Sequence, residues 1–77
     1  MSFDYKQMAI DHITNEPGRD MGEIVDVLIV YSREHSEEIS LPSAQKYIYD
    51  VIDERKINAN GSKLYPVSRK IFTRNVK

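Results

Sequence analysis

Tyr5, Met8, Ala9 and Ile13 recur three and four positions apart along the first stretch of the chain. This is the period of a helix with one apolar stripe. Asp4 with Gln7 three residues later has the form of a capping box, so the first predicted helix runs from about Asp4 to Asn15. "NEPG", with Pro17 and Gly18, ends it. Asp20 with Glu23 forms a second box and opens a second pattern, whose inner stripe is Ile24, Val27, Leu28 and Tyr31. The run "IVDVLIVY" is rich in β-branched residues, which favours a strand. The cap and the helix-tolerant "YSREHSEE" beyond it favour a helix, and helix is the reading adopted. Val25, Ile29 and Val30 are then left over, either to pack on a later element or to form an exposed patch for a second subunit.

The third pattern follows "SLP". Pro42 disfavours helical geometry at Leu41 but fits the first helical turn, where its missing N–H costs nothing. Ala44, Tyr47, Ile48, Val51 and Ile52 make a stripe that continues to about Lys56, and Ser43, Gln45, Lys46, Tyr49, Asp50 and Asp53 fall on or beside the other face. Strand-like segments at 57–59 and 63–67 flank Asn60-Gly61, a dipeptide that signals a tight hairpin. Pro66 is restricted to an edge strand or a strand end. A lone hairpin is barely stable in water, so it must pack on the helices or meet a partner. Arg19, Asp20 and Met21 are candidates for a short third strand beside it. The fold class expected is therefore α+β and mostly helical, with three helices and a short C-terminal β-hairpin. The domain spans residues 1–68, and 69–77 form a basic tail containing Ile71 and Phe72.

Charge changes this picture more than composition does. With 77 residues, 40% hydrophobic and 30% charged, the chain has the make-up of one small globular domain with a thin stability margin. Its net charge of −1 hides a segregation. All acidic residues lie in 1–54, accompanied only by Lys6, Arg19, Arg33 and Lys46. Residues 55–77 hold Arg55, Lys56, Lys63, Arg69, Lys70, Arg74 and Lys77 and no acid. A local basic field of this kind attracts phosphates. The chain has no Cys, no run approaching the length of a membrane span and no signal-peptide pattern at its start, so a cytoplasmic protein is expected.

The segment "SAQKYIYDVIDERKI" (43–57) resembles the recognition helix of the winged helix-turn-helix family of DNA-binding domains. Ser43 and Ala44 match its opening pair of small residues, Lys46 its basic position, Ile48 and Val51 its two core positions, and Ile57 the aliphatic residue entering the wing. "MGEI" (21–24) looks like the family's start of helix 2, and the likeness extends over about residues 4–68. Where the family often has Gly near the end of this helix, Arg55 and Lys56 stand here. The resemblance implies a sequence-specific regulator that binds double-stranded DNA. Its recognition helix, about 42–56, would lie in the major groove, with the wing 57–67 and the tail on the backbone.

The residue chemistry supports such an interface independently. Gln45 can pair with adenine, Lys46 can donate to guanine or phosphate, and Ser43 and Tyr49 carry hydroxyls for either. Lys63, Arg69 and Lys70 suit phosphates, since no acid lies near them in sequence. Asp50 and Asp53 would repel phosphates, which favours docking by the helix's N-terminal turn. A homodimer would double the contacts, through Val25, Ile29 and Val30 or through Ile71 and Phe72.

Catalysis is not expected. His12 and His35 lack a second ligand at metal-binding spacing, Glu37-Glu38 reads as a solvated pair, and the three glycines form no phosphate loop, so neither metal nor cofactor is implied. The competing expectation is a protein-binding module, an adaptor or inhibitor, that uses the acids of residues 1–54.

Overall fold

Each helix begins on a side chain that satisfies free backbone donors of its first turn. In the computed structural model, which describes residues 4–67, the elements are α1 (Tyr5–Asn15), β1 (Arg19–Asp20), α2 (Met21–Glu34), α3 (Leu41–Asp53), β2 (Ile57–Asn60) and β3 (Lys63–Pro66). The Asp4 carboxylate caps α1 by accepting from the Gln7 backbone N–H at 3.0 Å. The Gln7 amide does not complete the box but donates to Asp11, at 3.0 Å. Asp20 and Glu23 form the reciprocal box of α2, with the Asp20 N–H donating to Glu23 Oε1 at 3.4 Å. Ser40 caps α3, its Oγ accepting from the Ser43 N–H at 3.2 Å with Pro42 in the first turn.

The β-rich run of the second pattern is helical, and burial explains its surplus of apolar residues. Ile24, Val25 and Leu28 are all in the core, and Ile29 packs against it. Val25 is therefore spent in the core and Ile29 is only partly exposed. Only Val30 of that expected trio is exposed, at 49%. A helix with apolar residues round most of its circumference is one wedged between neighbours, and α2 contacts both α1 and α3.

α2 stops at Glu34, short of the "HSEE" that was expected to continue it, and the six-residue link to α3 is organised by Ser32. This side chain is fully buried. Its Oγ donates to the Ile29 carbonyl at 2.7 Å and accepts from the Ile39 N–H at 3.0 Å, while its own carbonyl accepts from the N–H groups of His35 (3.1 Å) and Glu37 (2.8 Å). Ser36 and Glu38 take positive φ values of 59° and 46° to make these bonds. Ser32→Ala is expected to lower stability by about 1–2 kcal/mol, because the part-buried Ile39 N–H loses its hydroxyl partner. The midpoint of urea unfolding measures it.

α3 also ends earlier than expected, at Asp53 rather than near Lys56. The Arg55 N–H donates to the Ile52 carbonyl and the Lys56 N–H to the Val51 carbonyl, both at 2.9 Å, around a positive φ of 60° at Arg55. This is a Schellman ending with arginine in the left-handed position that glycine usually fills. Left-handed geometry costs an L-residue roughly 1–2 kcal/mol, partly offset because glycine loses more entropy on folding. Arg55→Gly is therefore expected to stabilise the fold by about 0.5–1 kcal/mol, seen as a raised urea midpoint.

The three strands form one antiparallel sheet in the order β1-β3-β2. Asn60 pairs with Lys63, so the two-residue loop is Gly61-Ser62, one position later than the Asn60-Gly61 turn expected. Gly61 has φ +66° and Ser62 is not among the positive-φ residues, the signature of a type II′ turn with glycine first. Pro66 ends β3, opposite Ile57 and beyond the reach of β1, which pairs only with Leu64 and Lys63. Two further bonds, from the Gly18 N–H to Leu64 O (2.8 Å) and from the Met21 N–H to Ser62 O (2.7 Å), tie the hairpin to the start of α2. The hairpin thus supplies the central strand and one edge of a sheet whose Ile57 and Leu64 lie in the same core as Ile13, Leu28, Ile48 and Val51.

Candidate nucleic-acid interface

The face of α3 opposite Ala44, Ile48 and Val51 is covered by no other described element, and it carries the expected contact residues. Ser43, Gln45, Lys46 and Tyr49 are all exposed, Tyr49 at 55%. Ser43 Oγ accepts from the Ser40 hydroxyl at 3.0 Å, which leaves its own hydrogen to donate outward. Lys46 Nζ lies 3.3 Å from Asp50 Oδ2, four residues on. The pair is solvent-exposed and of small worth, so Lys46 can exchange it for another anion at little cost.

Lys63 is placed differently from its sequence surroundings. Cross-strand register sets Asp20 of β1 opposite it, with Nζ and Oδ1 3.6 Å apart, so an acid distant in sequence does compete for this cation. The Ser62 hydroxyl donates to the same Asp20 oxygen at 3.1 Å. A groove between α2 and α3 joins this region to the exposed face of α3, lined by Asp20, Glu23 and Asp26 on one side and Leu41 and Gln45 on the other. Arg69 and Lys70 lie outside the described residues.

Among the described residues, cations and acids are intermixed: Lys56 lies beside Glu54 and Lys63 beside Asp20. Residues 4–67 contain seven Lys and Arg against twelve Asp and Glu, a net charge of −5. Five of those cations are in ion pairs: Lys6–Glu54 (2.8 Å), Arg19–Glu16 (2.9 Å), Lys46–Asp50, Lys56–Glu54 (3.6 Å) and Lys63–Asp20. Among the described residues only Arg33 and Arg55 have no ion pair. The hydrogen bond to Glu54 raises the Lys6 pKa, and the same bond lowers that of Glu54. Burial, reinforced by the Glu37 carboxylate, pushes the Tyr5 phenol up to about 12. That phenol donates to Glu37 Oε1 at 2.6 Å while its ring stacks on Tyr47 at 5.4 Å, so α1 braces both α3 and the acidic link before it.

The remaining polar residues do not converge. His12 faces Glu16 at 3.8 Å, and His35 contacts the Tyr31 carbonyl at 3.0 Å and the Tyr31 ring. Among the described residues no group of three His, Asp or Glu side chains is placed to hold a metal ion. No helix among them is long and apolar enough to cross a membrane. Tyr65, half-exposed, lies along the backbone at Gly18, where a Cβ would sit 3.6 Å from its ring, and it serves as a brace between β3 and the α1–β1 turn.

No protein-family model, no curated protein and no solved structure matches this chain.

Proposed function

We propose that this protein binds double-stranded DNA as a sequence-specific regulator of the winged helix-turn-helix kind. The observation that carries the reading is the uncovered face of α3. Its 13 residues make a rod about 20 Å long, the size that a major groove accepts. That face carries an amide, an amine and two hydroxyls near its N-terminal half, all free of duties in the core. Gln45 and Lys46 read base edges, Ser43 and Tyr49 contact phosphate or base, and the hairpin lies against the backbone. The acids lining the α2–α3 groove keep the domain from binding DNA indiscriminately, because a phosphate set wrongly meets Asp20, Glu23 or Asp26.

Selection of bound sequences from a random duplex pool tests this. A shared motif is expected, with Gln45→Ala relaxing preference at one or two positions and leaving stability unchanged. Failure to enrich any duplex at about 50 mM salt would sink the reading.

The net charge of −5 on residues 4–67 favours a second reading, a protein-binding module whose partner is basic. Its affinity would survive substitution of Gln45 and Lys46 but fall when Asp20 and Glu23 are neutralised.

A further inference from the structure

Opposite its buried side, α2 carries Asp26, Val30 and Arg33, spaced by four and three residues and therefore aligned along one line of the helix. Ile24, Leu28 and Ser32 on the other side are fully buried. Val30 is the exposed centre of this line, and beside it Val27 and Tyr31 form an apolar hollow bounded by Asp26 and Glu34. Asp26 and Arg33 have no ion pair among the described residues, so each is available to a second chain. An acid and a base at the two ends of an apolar line cannot reach each other within one helix, because seven residues separate them. They meet when the helix faces an antiparallel copy of itself.

We propose that the outer face of α2 is a self-association surface, with a second copy of this chain packed antiparallel across a two-fold axis at Val30. Val30 meets Val30 of the second copy at the axis. Asp26 meets Arg33 of the second copy on one side, and symmetry repeats the pair on the other. Val27 and Tyr31 close over the seam, and Glu34 stays at its rim, where it limits the gain. The patch is self-complementary in charge only in this orientation, since a parallel pairing would set acid on acid. A 14-residue helix is only about 21 Å long, too short to bury a standard interface, so the dimer is a weak one. The surface does not depend on the DNA reading, and its failure would leave that reading intact.

Sedimentation velocity on the full chain, from about 10 µM to 1 mM, tests it. The wild type is expected to pass from monomer to dimer over this range. Asp26→Arg and Arg33→Asp should each weaken association roughly tenfold, since each converts both attractive pairs into repulsive ones. The double exchange should restore it, and mixing the two single variants should give a heterodimer. Val30→Lys should leave a monomer. All these positions are exposed, so each variant is expected to keep its fold, with circular dichroism as the control. A wild type that stays monomeric at 1 mM, a Val30→Lys variant that still dimerises, or a double exchange as weak as the singles would overturn the proposal. So would a dimer lost only on Ile71→Ser with Phe72→Ser.

Discussion

Leu64→Ala is expected to leave the chain largely unfolded at 25 °C. Leu64 is only 1% exposed and sits on the central strand, paired with β1 on one side and β2 on the other. Its side chain enters the core shared by all three helices, and β3 packs directly on α1. Truncating a buried leucine costs about 3–5 kcal/mol. A domain of this size has total stability of that order, with no disulfide to hold a partly unfolded state together. Tyr65→Ala, one residue along, is the control. Its side chain points to the other face of the sheet and remains 37% exposed, so the same truncation should cost about 1 kcal/mol. Far-UV circular dichroism in a urea titration separates the two. Equal losses would mean that the hairpin is an appendage after all.

This contrast marks how far the residue pattern could be read. Helix positions and the presence of a hairpin were legible because burial imposes a period, and Ala44, Ile48, Val51, Ile57 and Leu64 all obey it. The weak strand at Arg19–Asp20 was visible only as a possibility, since two exposed residues carry no period at all. What escaped were features set by groups distant in sequence or by backbone geometry. Ser32 reads as an ordinary polar residue in a helical run; its role appears only when the link to α3 folds back over it. Arg55 gives no hint of a left-handed conformation, because the requirement comes from where α3 must stop for Ile57 to enter the core. The turn moved from Asn60-Gly61 to Gly61-Ser62 because register follows the paired residues Ala59 and Leu64, and one glycine serves either position. Asp20 and Lys63 were unrelated until the sheet set them side by side. The face of α3, by contrast, could be listed residue by residue, because exposure on a helix follows from its period alone.

Charge gives the DNA reading its most demanding test. Residues 4–67 carry a net −5, yet the whole chain is at −1, so residues 68–77 supply four cations: Arg69, Lys70, Arg74 and Lys77. If the domain meets DNA through α3, its own field opposes the approach, and most of its cations must first leave carboxylates. The tail is then the main source of phosphate neutralisation. Replacing its four cations by alanine should reduce the slope of log affinity against log salt by about 3.6, at roughly 0.9 per phosphate contact. Affinity at 50 mM salt should fall by about 10²–10³. The selected sequence motif should persist, because base contacts lie on α3 and not on the tail. Lys46→Ala should do the reverse, changing the preferred sequence while lowering the slope by no more than about one. Fluorescence anisotropy of labelled duplexes across a salt series reads both quantities. A slope unchanged by the fourfold replacement would mean that the tail never reaches the backbone. With −5 on the domain and no tail to offset it, the acidic surface would then be the one that meets the partner.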